Sequence, residues 1–102
     1  MTQKQMRESL NKQLRLQGKT SEFYKDLVED YLYYWSLKKK LIKDIKDKGI
    51  RYSAKNGNGI EVEKANESVV NLQKTTATML KILNDLNLKE PMHESNPEND
   101  YL

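Results

Sequence analysis

The chain has no cysteine, one histidine and two prolines. Without cysteine there are no disulfides, no thiolate metal sites and no cysteine nucleophile, a pattern that fits a reducing compartment. The lone histidine, His93, lies between Pro91 and Pro97 in a polar stretch, where nothing fixes its geometry, so it makes a poor general base. No Gly-rich phosphate loop, H-E-x-x-H pair, Cys/His cluster or G-x-S-x-G elbow is present. We therefore expect no catalytic residue, no metal and no cofactor. Long hydrophobic runs are missing as well. The longest, Tyr31-Leu32-Tyr33-Tyr34-Trp35, is far too short to span a bilayer, and Met1–Arg7 lacks the apolar core of a signal peptide. The reading is of a soluble protein that is not exported.

Apolar residues are also scarce. They make up 36% of the chain, below the roughly 45–50% of an average domain, while charged residues reach 32% against about 25%. A monomer so poor in apolar surface is either marginally stable alone or gains burial by oligomerising. The charge is uneven along the chain. Residues 1–64 carry 15 Lys or Arg against 9 Asp or Glu, a net +6, and residues 65–102 carry 3 against 6, a net −3. A basic front and an acidic end suit contact with a polyanion at one end.

The periodicity predicts a mainly α fold. Met6, Leu10 and Leu14 share one face of a short helix over about residues 1–17, with Gly18 as its stop. A long helix follows over about 21–48, with Thr20 or Ser21 as N-cap and Gly49 at its end. Its stripe is Tyr24, Val28, Tyr31, Trp35, Ile42 and Ile45, flanked by Leu27, Tyr34 and Leu41. A second long helix is expected over about 66–86, capped by Asn66 or Ser68. Val69, Leu72, Thr76, Met79, Leu83 and Leu86 form its seam, widened by Val70, Ala77, Leu80 and Ile82. Between the two long helices, Ile50, Tyr52 and Ala54 alternate with polar residues, as do Ile60 and Val62, around Asn56-Gly57-Asn58-Gly59. Asn-Gly favours a tight hairpin turn because both turn positions tolerate positive φ, so about 50–64 reads as a short β-hairpin or a mobile loop. The expected architecture is two long antiparallel helices joined by this ribbon. Together with the N-terminal helix they make one domain over 1–88, followed by a disordered acidic tail over 89–102.

Two basic groups are candidate DNA contacts. Lys4, Arg7, Lys12, Arg15 and Lys19 lie in the N-terminal part, where residues 1–32 could form a minimal helix-turn-helix, although no third supporting helix is evident. Lys39, Lys43 and Lys46 share a face of the long helix within the cluster that includes Lys38, Lys40 and Lys48, and could contact phosphates. The competing reading is a solubilising face balanced by Asp44 and Asp47 through ordinary Asp44/Lys48 and Lys43/Asp47 pairs. Asp26 and Asp30 share a face but have no further ligands in reach, so they read as solvated charge. The aromatic run points in several directions and suits core and oligomer contact better than base stacking. Candidate oligomer-interface residues are Tyr31, Tyr34, Trp35, Ile42, Met79 and Leu83.

The order of segments resembles a known family. A helix reads Phe23-Tyr24-x-x-Leu27-x-x-x-Tyr31-x-x-x-Trp35 and runs on to Lys48-Gly49. A Gly/Asn-rich ribbon and Asn66-Glu67-Ser68-Val69 follow, and the close is Leu83-Asn84-Asp85-Leu86-Asn87-Leu88-Lys89-Glu90-Pro91. This is similar to phage terminase small subunits over roughly residues 21–91. Three positions depart from the family pattern: Glu67 stands where a proline is usual, Asn87 where a glycine is usual, and Met92 follows Pro91 where an arginine is common. The resemblance implies a non-catalytic protein of the host cytoplasm that assembles into a homo-oligomeric ring. Such a ring binds double-stranded viral DNA at the packaging start site and presents it to the terminase large subunit, which carries the ATPase and nuclease. The acidic tail is then a candidate contact for that subunit. Two other classes are a helical adaptor that only scaffolds partners, indifferent to Lys→Glu changes at Lys39, Lys43 and Lys46, and a small transcriptional regulator that reads a palindrome as a dimer.

Overall fold

A computed structural model describes residues 1–88 as three helices and one β-hairpin: α1 (Gln3–Leu16), α2 (Glu22–Lys48), β1 (Arg51–Lys55), β2 (Glu61–Ala65) and α3 (Glu67–Asp85). The acidic tail expected over 89–102 lies outside the described residues. Each helix end has a local cause. Thr2 caps α1 in a reciprocal box, its hydroxyl accepting from the Gln5 amide while the Gln5 side chain accepts from the Thr2 amide. At the far end the Lys19 amide donates to the Leu14 carbonyl and the Gly18 amide to that of Arg15, with Gly18 at φ +72°: a Schellman stop. Ser21 caps α2 through its backbone alone, and Gly49 at φ +80° ends it. The Asn66 side chain caps α3 by accepting from the Ser68 amide. Helix α3 ends in a second Schellman stop, Leu88 amide to Leu83 carbonyl and Asn87 amide to Asn84 carbonyl, with Asn87 itself in the left-handed region at φ +59°.

Helices α2 and α3 pack along each other and α1 packs on α2. Their relative direction follows from who meets whom. Val28, Tyr31 and Leu32 from the first half of α2 share a core with Met79, Ile82 and Leu86 from the second half of α3 and with Leu88. At the other end the Ser68 hydroxyl donates to Asp44 at 2.7 Å. The helices are antiparallel. Leu10 and Leu14 of α1 close the same core, with Met6 packed at its margin.

The seams differ in phase from the sequence expectation. The buried line of α3 is Thr75, Met79, Ile82 and Leu86, so Ile82 is central, whereas Val70, Ala77 and Leu80 are exposed rather than widening the core face. On α2 full burial stops at Leu32, while Leu41 and Ile45 are half-buried and Ile42 is exposed. The apolar core is therefore concentrated where three helices meet. The half nearer the hairpin has only two helices to bury its stripe, and there Leu41, Ile45, Val69 and Leu72 stay half-buried.

The hairpin pairs antiparallel from Arg51↔Ala65 to Lys55↔Glu61. Its turn corrects the two-residue Asn-Gly reading. The Gly59 amide donates to the Asn56 carbonyl, the Asn56 amide to the Ile60 carbonyl, and only Gly59 has positive φ, at +74°. The loop is thus three residues, 57–59, of the kind in which the last residue turns left-handed. The Asn56 carboxamide steadies it by accepting from the Asn58 and Ile60 amides.

Candidate nucleic-acid interface

The N-terminal basic residues do not act as one stripe. Lys4, Lys12 and Arg15 are exposed on α1. Arg7 is engaged, its Nε and Nη2 donating to the two Glu29 carboxylate oxygens at 2.9 Å each. This fork raises the Arg7 pKa and holds the Glu29 carboxyl below its ordinary range, the hydrogen bonds being the largest cause in both. Arg7 thus ties α1 to α2 and is less free to meet a ligand. Lys19 is also structural: its Nζ donates to the Leu86 carbonyl at 2.8 Å, beside the Tyr24 ring. It joins the α1–α2 turn to the end of α3. Leu86 and Leu88, just past the end of α3, share the core cluster with Leu10 and Leu14 of α1, and Lys19 clips the α1–α2 turn to Leu86.

At this corner Arg15, Lys19 and Lys25 surround an open cavity of about 280 Å³ whose other walls are Asn11, Leu14, Thr20 and Tyr24. Among the described residues no acidic side chain lines it. Lys25 was not among the sequence candidates. Its signal was its place in the first turns of α2, directly after a basic turn, where among the described residues it pairs with an exposed Glu22 at 3.3 Å, an ion pair of little energetic weight.

The second group lies further along α2. From Glu29, where α1 is tied, to Lys43 the helix rises by about 21 Å at 1.5 Å per residue, so the two groups are separate patches. The Lys39 ammonium sits 3.7 Å from the centre of the Trp35 ring, which holds it near the helix surface. Lys43 and Lys46 are exposed. Of the two expected ion pairs, Asp44–Lys48 forms at 3.3 Å, and among the described residues Lys43–Asp47 does not. Asp44 is instead committed to the hairpin base, where hydrogen bonds from Ser68 and Asn66 lower its pKa.

The six candidate interface residues separate as well. Tyr31 and Met79 are 8% and 6% exposed and lie within the chain's own core. Burial also raises the Tyr31 pKa. Tyr34, Trp35 and Leu83 pack at the core margin, and Ile42 is 46% exposed. The aromatic run gives no flat platform, since Tyr33 and Tyr34 meet edge to face at 82°. Asp26 and Asp30 are exposed, and among the described residues no group of three or more acidic or histidine side chains converges on a metal site. No helix of the described residues is long and apolar enough to cross a membrane.

What this arrangement offers chemically is attraction of anions at a basic corner and along a lysine-bearing helix, on a rigid helical frame. The chain belongs to the phage terminase small-subunit family, whose family model, described as phage terminase, small subunit, matches residues 4–95. A role in phage DNA packaging goes with that membership. Comparisons with curated proteins and with solved structures gave no match.

Proposed function

We propose that this protein is the non-catalytic DNA-recognition subunit of a phage terminase. It binds double-stranded viral DNA at the packaging start site and presents it, in the host cytoplasm, to the large subunit that carries the ATPase and nuclease. The observation that supports this reading, beside the family match, is the α1–α2 corner, where Arg15 and Lys25 line one cavity with Lys19 behind them and the only acidic partner described there is the exposed Glu22, 3.3 Å from Lys25. A duplex presents phosphates in regular rows, and a cavity of this kind seats one while Lys4 and Lys12 approach others along the strand. Lys39, Lys43 and Lys46 are the second contact. A homo-oligomer, expected as a ring, repeats both patches around DNA and supplies the burial that the hairpin half of the monomer lacks, with Ile42 and the exposed Val70 and Leu80 as apolar contact points.

The test is DNA affinity as a function of salt. Each phosphate contact contributes about 0.9 to the slope of log affinity against log salt. Arg15→Glu with Lys25→Glu is expected to weaken binding and to flatten that slope by about two contacts' worth. Lys39→Glu, Lys43→Glu and Lys46→Glu together are expected to do likewise. Wild-type affinity in both variants would leave the adaptor reading in its place.

A further inference from the structure

The β-hairpin stands apart from the helices. Neither strand packs along a helix, and Arg51, Ser53, Lys55, Glu61, Glu63 and Ala65 are all exposed. A lone two-stranded ribbon is marginal in water, so what lies along its edges matters. The hydrogen-bond phase can be read from its ends. The Asn56 amide donates to the Ile60 carbonyl and the Asn66 amide to the Ile50 carbonyl, both at 2.8 Å, one step beyond each end of the register. Bonded and non-bonded pairs alternate in an antiparallel ladder. Tyr52↔Lys64 and Ala54↔Val62 are therefore the bonded pairs. Residues 51, 53 and 55 point their amides and carbonyls outward on one edge, and 61, 63 and 65 do so on the other.

Each edge runs five residues without proline or a bulge, so charge is what decides its partners. Their charges differ in sign. The β1 edge carries Arg51 and Lys55, the β2 edge Glu61 and Glu63, while Lys64 lies on the opposite face of the ribbon. Within the hairpin only Arg51 and Glu63 close an ion pair, at 2.7 Å. Lys55 and Glu61 stand opposite each other without one, leaving a charge on each edge for another partner. Two β1 edges, or two β2 edges, would bring like charges together, whereas a β1 edge beside a β2 edge joins opposite ones.

We propose that the hairpin pairs edge to edge with a second copy of this chain, β1 of one copy against β2 of the next, building a continuous antiparallel sheet across subunits. This rests on the homo-oligomer in the proposed function. The contact is head-to-tail, so each copy keeps one edge for a further neighbour and the assembly closes as a ring if the rotation allows. Ser53 is central on the β1 edge and its amide faces outward. Ser53→Pro thus removes an intersubunit donor and leaves the hairpin's own bonds intact.

The experiment uses the full chain. The solution mass of the wild type is expected to exceed the 12.0 kDa of one copy, and Ser53→Pro is expected to lower it with an unchanged helical circular dichroism. An undiminished mass in Ser53→Pro, or a monomeric wild type, overturns the proposal. Because the chain has no cysteine, a second readout is clean. Ser53→Cys and Glu63→Cys chains, mixed and oxidised, are expected to cross-link with each other, and neither alone. No cross-link in the mixture, or equal cross-linking of Ser53→Cys by itself, refutes the head-to-tail edge. DNA binding at low salt, measured on the same samples, separates the two readings: cross-linking without DNA affinity keeps the edge and sinks the DNA role, and DNA affinity without cross-linking does the reverse.

Discussion

Asn66 is where the hairpin and α3 are joined, and replacing it tests the account of this fold most sharply. It is 5% exposed, a polar side chain with few alternatives to the bonds it makes. Its Oδ1 accepts from the Ser68 amide and caps α3, and its Nδ2 donates to the Gly49 carbonyl at 2.9 Å. The backbone amide of Asn66, bonded to Ile50, does not depend on the side chain. Asn66→Ala therefore removes one helix cap, worth about 1 kcal/mol. It also removes one buried donor to a carbonyl, worth about another 1 kcal/mol. The expected loss is about 2 kcal/mol in the free energy from urea unfolding followed by circular dichroism. Asn66→Asp separates the two parts. It keeps the capping oxygen but turns an acceptor toward the Gly49 carbonyl and brings a carboxylate near Asp44, whose pKa Asn66 now helps to lower. The introduced carboxylate is destabilising when ionised, so its folded-state pKa is raised, and the cost is present at neutral pH and relieved as pH falls through that value. A loss below about 0.5 kcal/mol for Asn66→Ala, or a cost of Asn66→Asp that does not shrink on acidification, would refute this reasoning.

Three further outcomes follow from the same geometry. Glu29 is held below its ordinary pKa by the Arg7 fork, so its contribution is present above the unfolded carboxylate range and lost as pH falls through the folded value; Glu29→Gln should flatten the acid limb of the urea midpoint between pH 7 and pH 3, and an unchanged limb would count against the fork. Asn87 sits at φ +59°, so Asn87→Val is expected to cost about 1–2 kcal/mol and Asn87→Gly to be neutral or slightly stabilising by thermal melting, with equal effects arguing against a left-handed stop. Leu32 is fully buried between the helices, and Leu32→Ala is expected to cost about 2–5 kcal/mol, a value under about 1 meaning that the three-helix end is looser than described.

The architecture was legible because its signals are local. The order of helix, ribbon and helix, the stops at Gly18 and Gly49 and the Asn66 cap all depend on residues within a turn of one another, and the structure places them there. What was not legible depends on which long-range partner wins. Periodicity on α3 allowed several adjacent phases of one stripe, and only packing against Val28, Tyr31 and Leu32 selects Thr75, Met79, Ile82 and Leu86. For the same reason, the apolar character of Tyr31 and Met79 does not say whether they meet their own chain or another. The basic residues show the same limit. Arg7 and Lys19 carry the charge a DNA contact needs, yet a partner 22 residues away and one 67 residues away draw them into the frame. Lys25, which sequence left aside, joins Arg15 at the cavity.

The two departures from the family pattern that lie in the described residues, Glu67 and Asn87, become intelligible at this level. Glu67 occupies the first turn of α3, where its carboxylate meets the positive end of the helix. A proline at that position would instead pre-set the φ angle and give up an amide that the helix does not need. Either residue starts the helix, by different means. Asn87 fills a left-handed stop that glycine fills with less strain, and asparagine is the side chain that tolerates that region best after glycine. The backbone plan is therefore kept while side chains at its ends change. Differences between family members that alter function should then lie on surfaces the plan leaves free: the corner around Arg15 and Lys25, and the two edges of the hairpin.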